Sequence, residues 1–301
     1  MMSDLEKDIL RTVLWFSLFA YPPTAFEVWK WMLRPSASRT LFDVVFALAS
    51  SKELHTLLLE DEGVYVLRDS TTSSALRRER FGDAVRKMER VRRAVGYLKR
   101  IPFVRGVGVC NTLSWMQTTP ESDIDLFIIV REGSLWTTRL LSVLPFKLLR
   151  ARPGERVRDP FCFSFFLSDA SLNLETLALP GGDPYLAYWT KSIIPVFDRD
   201  GVFEEFQRAN AWTWDVLSQA HARGVVCDGS RARRAPDWLE RTASKLQQRQ
   251  FPETITQMAN RDSRVVVSDA MLKFHANDRR ELFRDRFADS CEIHHLSYDT
   301  T

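Results

Sequence analysis

Apolar residues recur at helical spacing at the start of the chain. Leu5, Ile9 and Val13 lie on one face of a helix, and the pattern predicts a helix over 4–20. The stretch Tyr-Pro-Pro that follows ends this helix, because proline cannot continue the hydrogen-bond ladder. Thr24 is a good N-cap for a second helix over 25–33. The beginning of the chain is therefore predicted to be helical, with a sharp break between two helices.

A third helix and a hairpin complete this first pattern. The helix is predicted over 38–51, and LHTLLLEDEGVYVLRD predicts two short strands around an Asp-Glu-Gly turn. Three helices followed by a hairpin are the order of a winged-helix module, which we predict over residues 1–70. Such modules often bind DNA through the third helix. Here only Arg39 and Lys52, at its ends, are basic, so packing or partner binding is favoured over DNA binding.

A basic amphipathic helix is predicted to connect this module to the next, over residues 71–100. Within 77–100, ten Lys or Arg stand against three acidic residues. An apolar stripe runs along the helix, and its members are Phe81, Val85, Met88, Val91, Val95 and Leu98. The helix is either a rail for nucleic acid or a solvated face on a helix that packs along the next domain. We favour the second, because a charged helix face usually needs no ligand.

From residue 101 onward the pattern changes to alternating strands and helices. FVRGVGV, DIDLFIIV and PFCFSFFL predict three strands, and a helix between the last two contains Pro145 as a kink or break. A basic loop, ARPGERVRD, follows that helix, and another helix follows the third strand. We predict an α+β chain with an α/β core over 101–200 and a mostly helical C-terminal region over 201–301. The latter is interrupted by a short β-like segment at 264–268.

Composition narrows the class of protein. The chain has 301 residues, of which 45% are hydrophobic, so a large core is possible. A formal net charge of +3 does not by itself indicate a nucleic-acid or membrane partner. The four cysteines form no CxxC pair, the first residues are polar, and no apolar stretch reaches about 18 residues. We expect a reduced, cytoplasmic protein without a membrane partner.

Two aspartates begin the most apolar predicted strand. Residues two apart in a strand project to the same side, so Asp123 and Asp125 lie together while Ile124 points into the core. Two such carboxylates repel each other unless a cation or proton lies between them, and hard oxygen ligands suit Mg²⁺. Asp-x-Asp alone is weak evidence, since about 1.6 such pairs are expected by chance. The chain contains a second Asp-x-Asp pair, Asp198 and Asp200. It lies beside a glycine turn, and we predict that it is only part of that turn.

The context of the aspartate pair resembles the nucleotidyltransferase superfamily, the polymerase-β-like fold. In that family a strand ends in a Gly-Ser turn that opens a helix, and Ser-Asp-x-Asp begins the next strand some ten residues later. Here Asn111-Thr112 takes the place of the turn, and Ser122, Asp123 and Asp125 supply the second element. The layout is also similar to a bacterial group with a winged-helix-like segment before such a domain. The resemblance is specific over about 100–200.

The resemblance implies an activity and a set of site residues. Asp123 and Asp125 would be the catalytic residues and the Mg²⁺ ligands. Asn111, Thr112 and Ser122 would bind the phosphates of a nucleoside triphosphate, ATP above all. A nucleoside monophosphate would then pass to an unidentified acceptor. Asn replaces the glycine of the turn, but it tolerates positive φ, so the turn can survive.

The family's third carboxylate has no evident counterpart. The matching strand carries Cys162 and Ser164, while Asp159 precedes it and Asp169 follows it. A non-catalytic nucleotide sensor or regulator, or a DNA-binding regulator using the first module, therefore stays open. Several further residues are weaker candidates. We expect a surface or interdomain role for Lys273, His275, Arg279 and Arg280, no metal at His294 and His295, and a triphosphate contact by Lys191 only if it points into the site.

Overall fold

The computed structural model describes residues 2–149 and 158–298, in which the chain is mixed α/β. Most of the predicted basic loop, 150–157, lies outside the described residues. The helices are α1 (Asp4–Ser17), α2 (Ala25–Lys30), α3 (Leu41–Ser50), α4 (Lys52–Leu57), α5 (Ser74–Leu98), α6 (Asn111–Ser114), α7 (Leu135–Leu148), α8 (Pro184–Ser192), α9 (Val202–Ala209), α10 (Thr213–Val216), α11 (Asp237–Gln248), α12 (Glu253–Met258) and α13 (Arg280–Ile293). The strands are β1 (Leu58–Asp61), β2 (Val64–Leu67), β3 (Val104–Val109), β4 (Ile124–Val130), β5 (Phe161–Ser168), β6 (Ile194–Arg199), β7 (Cys227–Asp228), β8 (Val265–Val267) and β9 (Met271–Phe274).

Seven strands form one mixed sheet in the order β7-β6-β3-β4-β5-β9-β8. The central strand β4 pairs antiparallel with β3 and parallel with β5. Its side chains alternate between two apolar clusters: Ile128 belongs to one, while Phe127 and Ile129 belong to the other. Because both faces of β4 are covered, the strand is apolar throughout after its two aspartates.

Two glycines in β3 let a helix approach the sheet closely. A Cβ added at Gly106 would lie 2.9 Å from side-chain atoms of Phe203 and Val202. At Gly108 it would lie 2.6 Å from Cγ2 of Ile193. The missing side chains therefore make room for α9 and for the end of α8 against β3.

The N-terminal elements have the predicted order, with α4 added between the third helix and the hairpin. The predicted hairpin is confirmed as β1 and β2, which pair antiparallel around Glu62 and Gly63. Helix α1 is not confined to a core of its own. Trp15 stacks on Tyr188 of α8 at 4.8 Å between ring centroids and meets Phe287 of α13 edge-on at 5.1 Å. The first module thus shares one hydrophobic core with later parts of the chain.

Helix α5 joins the N-terminal elements to the sheet. Its buried face includes Ala84, Val91 and Leu98, whereas Phe81 and Val85 of the predicted stripe are 51% and 43% exposed. The stripe was therefore wrong at its first two positions. The helix rotates these two residues outward because buried ion pairs occupy part of its inner face, including fully buried Lys87.

Helix α7 continues through Pro145 without ending there, so of the predicted kink or break, the break is wrong. Proline has no N–H to donate to the carbonyl of Leu141 four residues earlier. The hydroxyl of Tyr97 donates to that carbonyl at 2.8 Å instead. A side chain from α5 thus satisfies the acceptor that proline leaves open.

The region predicted as mostly helical supplies three strands of the sheet. Strand β9 pairs antiparallel with β5, and β8 extends the sheet beyond it. The apolar run before Asp198 is strand β6 and not part of a helix, so Asp198 lies in a strand and only Asp200 lies in the turn. No helix among the described residues has both the length and the apolar character needed to cross a membrane.

Candidate functional site

A buried lysine holds the loop that leads into the aspartate pair. Nζ of Lys87 donates to the backbone carbonyls of Thr119 and Ser122, at 2.5 Å and 2.7 Å. The hydroxyl of Ser122 accepts from the backbone N–H of Thr119 at 3.0 Å, which closes the turn. The hydroxyl predicted to bind phosphate is therefore engaged within its own loop. By closing this turn, the Ser122 hydroxyl helps to set the residue at which β4 begins.

Asp123 and Asp125 are both half-buried, one just before β4 and one within it. Burial raises the pKa of Asp123, against a smaller lowering by the charge of Lys87. Burial also raises the pKa of Asp125, with a further rise from the charge of Asp123, while hydrogen bonds from Asn111 and Cys162 oppose it. Among the described residues, neither carboxylate lies in an ion pair with a basic side chain of the chain itself.

The turn before α6 is built on an asparagine in the left-handed region. Asn111 has φ of 55°, so the expectation that asparagine can replace glycine in this turn is confirmed. Its side-chain oxygen accepts from Nε1 of Trp189 at 2.8 Å, and its side chain also hydrogen-bonds to Asp125. Asn111 therefore orients Asp125, a contact that the sequence did not reveal. Thr112, next to it, is exposed and lines the cleft described below.

The position of a third carboxylate is occupied by a thiol and a hydroxyl. Cys162 of β5 lies opposite Asp125 in the strand register and hydrogen-bonds to it. Burial, followed by the charge of Asp125, raises the pKa of this thiol, so it stays protonated near neutral pH. Ser164, on the same side of β5, lies 3.2 Å from Nε2 of His275. These groups donate hydrogen bonds and do not ligate Mg²⁺ well.

The two acidic residues that flank β5 form ion pairs with arginines. Asp159 is buried and paired with Arg86, at 2.8 Å between Nη2 and Oδ1, and more distantly with Arg90, at 3.5 Å. Asp169 binds Arg105 and Arg131, each at 3.1 Å. Neither replaces the missing carboxylate. Across residues 2–149 and 158–298, no group of three or more His, Cys, Asp or Glu side chains is placed to hold a metal ion.

Two pockets adjoin the turn at Asn111, and they are called lobes here. The first lobe, the aromatic lobe, has a cavity volume of about 110 Å³ and is lined by Trp15, Phe16, Phe19, Tyr21, Asn111, Thr112, Trp115, Gln117, Tyr185, Tyr188 and Trp189. The second, the basic lobe, has a cavity volume of about 190 Å³ and is lined by Asn111, Phe165, Tyr185, Leu186, Trp189, Lys273, His275, Asn277, Asp278, Arg279, Arg280 and Phe283. Asn111, Tyr185 and Trp189 line both lobes, so both lobes border the turn.

The basic lobe is lined by three cationic side chains and one carboxylate. Lys273 and Arg280 both pair with that carboxylate, Asp278, at 3.5 Å and 2.9 Å, and Arg280 also pairs with Asp183 at 2.7 Å. Burial lowers the pKa of Lys273 to about 8, and burial together with nearby cations lowers that of His275 to about 3. Arg279 is exposed, beside the ring of Phe283. The lobe therefore has a net positive charge suited to an anion, with a neutral imidazole in its wall.

Compared with protein-family models, curated proteins and solved structures, the chain has no match. The resemblance to nucleotidyltransferases therefore rests on the motif spacing in the sequence alone.

Lys191 does not point into the cleft. Its ammonium is buried and lies 3.3 Å from the centroid of the Trp214 ring. Burial lowers the pKa of Lys191 to about 8. The sequence analysis did not predict the aromatic lobe. One available signal was the spacing of Tyr185, Tyr188 and Trp189, which places three rings on one side of α8.

Proposed function

We propose that this protein binds a nucleoside triphosphate with Mg²⁺ and transfers a nucleoside monophosphate to an acceptor that is not identified. The supporting observation is the pair Asp123 and Asp125, two half-buried carboxylates without an ion-pair partner among the described residues, of which Asp125 contacts Asn111 in the wall of the basic lobe. Two carboxylates are enough, since Mg²⁺ at nucleotide sites is usually held by one or two carboxylates together with substrate phosphates.

Each residue has a role that follows from its contacts. Asp123 and Asp125 would hold Mg²⁺, which when bound offsets the charge of the triphosphate and favours attack on its α-phosphorus. Asn111 fixes the orientation of Asp125, and Lys87 fixes the loop that leads into Asp123. Thr112 offers an exposed hydroxyl beside them. The basic lobe would attract the phosphate groups.

The proposed fold assignments follow from element order. Strand β3, the turn into α6, and strands β4 and β5 have the order of a nucleotidyltransferase core. Helices α1 to α3 and the hairpin have the order of a winged-helix module. The exposed face of α3 carries Phe42 and Phe46, 74% and 61% exposed, rather than basic residues, so a DNA-binding role is not favoured.

A nucleotide sensor is the second candidate, favoured by the groups opposite Asp125. A third carboxylate would help to deprotonate the attacking hydroxyl. Cys162 and Ser164 stand there instead, and the thiol has a raised pKa that prevents it from acting as a base near neutral pH. A sensor would bind the nucleotide as an enzyme does, but it would release no pyrophosphate.

Calorimetry with ATP or GTP and Mg²⁺ tests the proposal. We expect Mg²⁺-dependent binding that Asp123→Asn and Asp125→Asn each weaken by at least about tenfold, because each removes a ligand charge. Asp215→Asn is the matched control, since Asp215 is exposed on α10 and lines neither lobe. Binding that is absent, or unchanged in both site variants, rules out the proposal. Release of pyrophosphate then separates transferase from sensor.

A further inference from the structure

Aromatic side chains dominate the lining of the aromatic lobe. Eight of its lining side chains are aromatic; some of them also pack in the shared core, while Phe19, Trp115 and Tyr185 are partly exposed. Four of them come from α1 and the turn after it: Trp15, Phe16, Phe19 and Tyr21. The other four come from the turn after α6 and from α8: Trp115, Tyr185, Tyr188 and Trp189. The lobe thus lies where the N-terminal elements meet the sheet region.

The walls of this lobe are held in place by ring contacts of their own. Trp115 lies 4.7 Å from Trp31 and 5.3 Å from Phe16, measured between ring centroids. Tyr185 stacks on Phe283 at 5.7 Å with an interplanar angle of 5°. Rings fixed in this way lose little further freedom when a ligand binds, which favours affinity. Trp115, Tyr185 and Phe19 are only partly buried, so part of each ring is accessible from the lobe.

The two lobes differ in chemistry on either side of one turn. The basic lobe offers cations, and its wall continues through His275 and Ser164 to Cys162, which contacts Asp125. The aromatic lobe begins at Asn111 and Thr112 and has no charged lining residue. A ligand that extends across the turn therefore meets positive charge at one end and flat apolar rings at the other. A nucleotide has this polarity, since its phosphates are anionic and its base is a planar π-system.

We infer that the aromatic lobe binds the base of the nucleotide, by stacking against its rings. This inference rests on the proposed function. Stacking on aromatic side chains tolerates different bases, because every base has a π-face. We therefore expect affinity for the base with little discrimination between adenine and guanine. Since α1 and the turn after it supply half of the rings, a bound base also bridges the N-terminal elements to α8.

Tryptophan fluorescence and calorimetry on the full chain test this inference. Adenosine, which carries no phosphate, is expected to change the tryptophan fluorescence of the wild type and of Asp125→Asn alike. ATP with Mg²⁺ is expected to bind at least about tenfold more tightly than inorganic tripolyphosphate with Mg²⁺. Trp115→Leu should lower the affinity for ATP towards that for tripolyphosphate. The affinity for tripolyphosphate itself should not change. Trp115→Phe, which keeps a ring, should retain most of the difference.

Two further variants keep the result interpretable. Trp238→Leu is the matched control, because Trp238 is 65% exposed on α11 and lines neither lobe. Phe19→Leu repeats the test at the edge of the lobe if Trp115→Leu does not fold. Equal binding of ATP and tripolyphosphate, with no response to adenosine, overturns the inference while leaving the proposed function standing. Conversely, an adenosine response together with Mg²⁺-ATP binding that ignores Asp125→Asn overturns the proposed function alone.

Discussion

At the scale of single residues, the site depends on one substitution relative to the resembled family. Asn111 stands where that family has glycine, and it keeps the left-handed backbone conformation that the turn needs. Unlike glycine, it also has a side chain, which links Trp189 to Asp125. The turn in this chain therefore has a side chain that contacts Asp125, which a glycine turn would lack.

Asn111→Gly should separate these two roles. The backbone conformation is retained, but the hydrogen bond that lowers the pKa of Asp125 is lost, so this already raised pKa rises further. Metal binding needs the ionised carboxylate. The midpoint below which Mg²⁺-dependent ATP binding is lost on acidification should therefore move to higher pH. Calorimetry across a pH series measures it. Asn111→Ala serves as comparison, since alanine is strained at φ of 55° and should also reduce stability. A midpoint that does not move contradicts the role given to Asn111.

At the scale of elements, α5 connects the N-terminal elements to the sheet through its side-chain contacts. Arg77 forms two hydrogen bonds with Glu27 of α2, each at 2.8 Å, and lies 4.7 Å from the ring centroid of Tyr21. Farther along, Arg86 and Lys87 pair with Asp159 at the start of the β5 region. The favoured interpretation of a packing helix agrees with these contacts, but several of its charges form ion pairs within the fold, and Lys87 is fully buried.

Arg77→Gln should destabilise the protein by about 2–3 kcal/mol, because it leaves the largely buried Glu27 without its charged partner. Burial raises the pKa of Glu27, but Arg77 together with hydrogen bonds from Thr24 and Tyr21 outweighs this, so the net pKa is lowered. A lowered carboxyl pKa stabilises the fold above the ordinary Glu range, and this stabilisation is lost as pH falls through the lowered value. The difference between wild type and variant should therefore shrink in acid. Urea unfolding at several pH values measures it.

The matched control is Arg92→Gln on the same helix. Arg92 is 71% exposed and pairs only with Glu89 one turn away, so the expected change is within about 0.5 kcal/mol. Equal losses of unfolding free energy in the two variants would show that the contacts of Arg77 do not connect α5 to the N-terminal elements.

The close approach of α9 and α8 to β3 gives a second prediction at this scale. Gly108→Ala should cost about 1–3 kcal/mol, because the new Cβ would lie 2.6 Å from Ile193 and 3.2 Å from Phe203. Gly96→Ala is the paired variant in α5, where nothing lies within 4 Å of the added Cβ. It should stabilise the protein by about 1 kcal/mol through helix propensity. Thermal unfolding of both variants tests the pair, and a neutral Gly108→Ala would show that the helices move to accept the methyl group.

At the scale of the whole molecule, the N-terminal elements are not separable from the rest. One hydrophobic core contains Trp15 and Leu48 together with Tyr188, Phe287 and Leu296. The aromatic lobe lies against this shared core, since Trp15 and Tyr188 belong to both. A ligand in that lobe therefore contacts both parts of the molecule at once.

This shared core predicts one cooperative unfolding transition for the full chain. Trp15→Ala should lower the midpoint for the entire molecule, with a loss of about 3–5 kcal/mol, because Trp15 is 1% exposed. Calorimetry together with far-UV and tryptophan signals measures whether the probes coincide. A separate low-temperature transition that alone shifts in Trp15→Ala would show that the N-terminal elements fold as an independent domain.

The sequence by itself determined the local features of this protein. The period of α1, the cap at Thr24 and the hairpin turn follow from rules that operate over a few residues. The same holds for the turn at Asn111, since the need for positive φ is set by neighbouring backbone atoms.

Only the tertiary structure decided which distant groups meet. Strands β6 and β9 come from short apolar runs that are ambiguous until a partner strand pairs with them. Asp159 does not serve as a third metal ligand, because it forms an ion pair with Arg86, which lies 73 residues away in the chain. The aromatic lobe exists only because α1 packs beside α8. Burial, charge pairing and cavities depend on neighbours in space, and no local pattern in the chain encodes them individually.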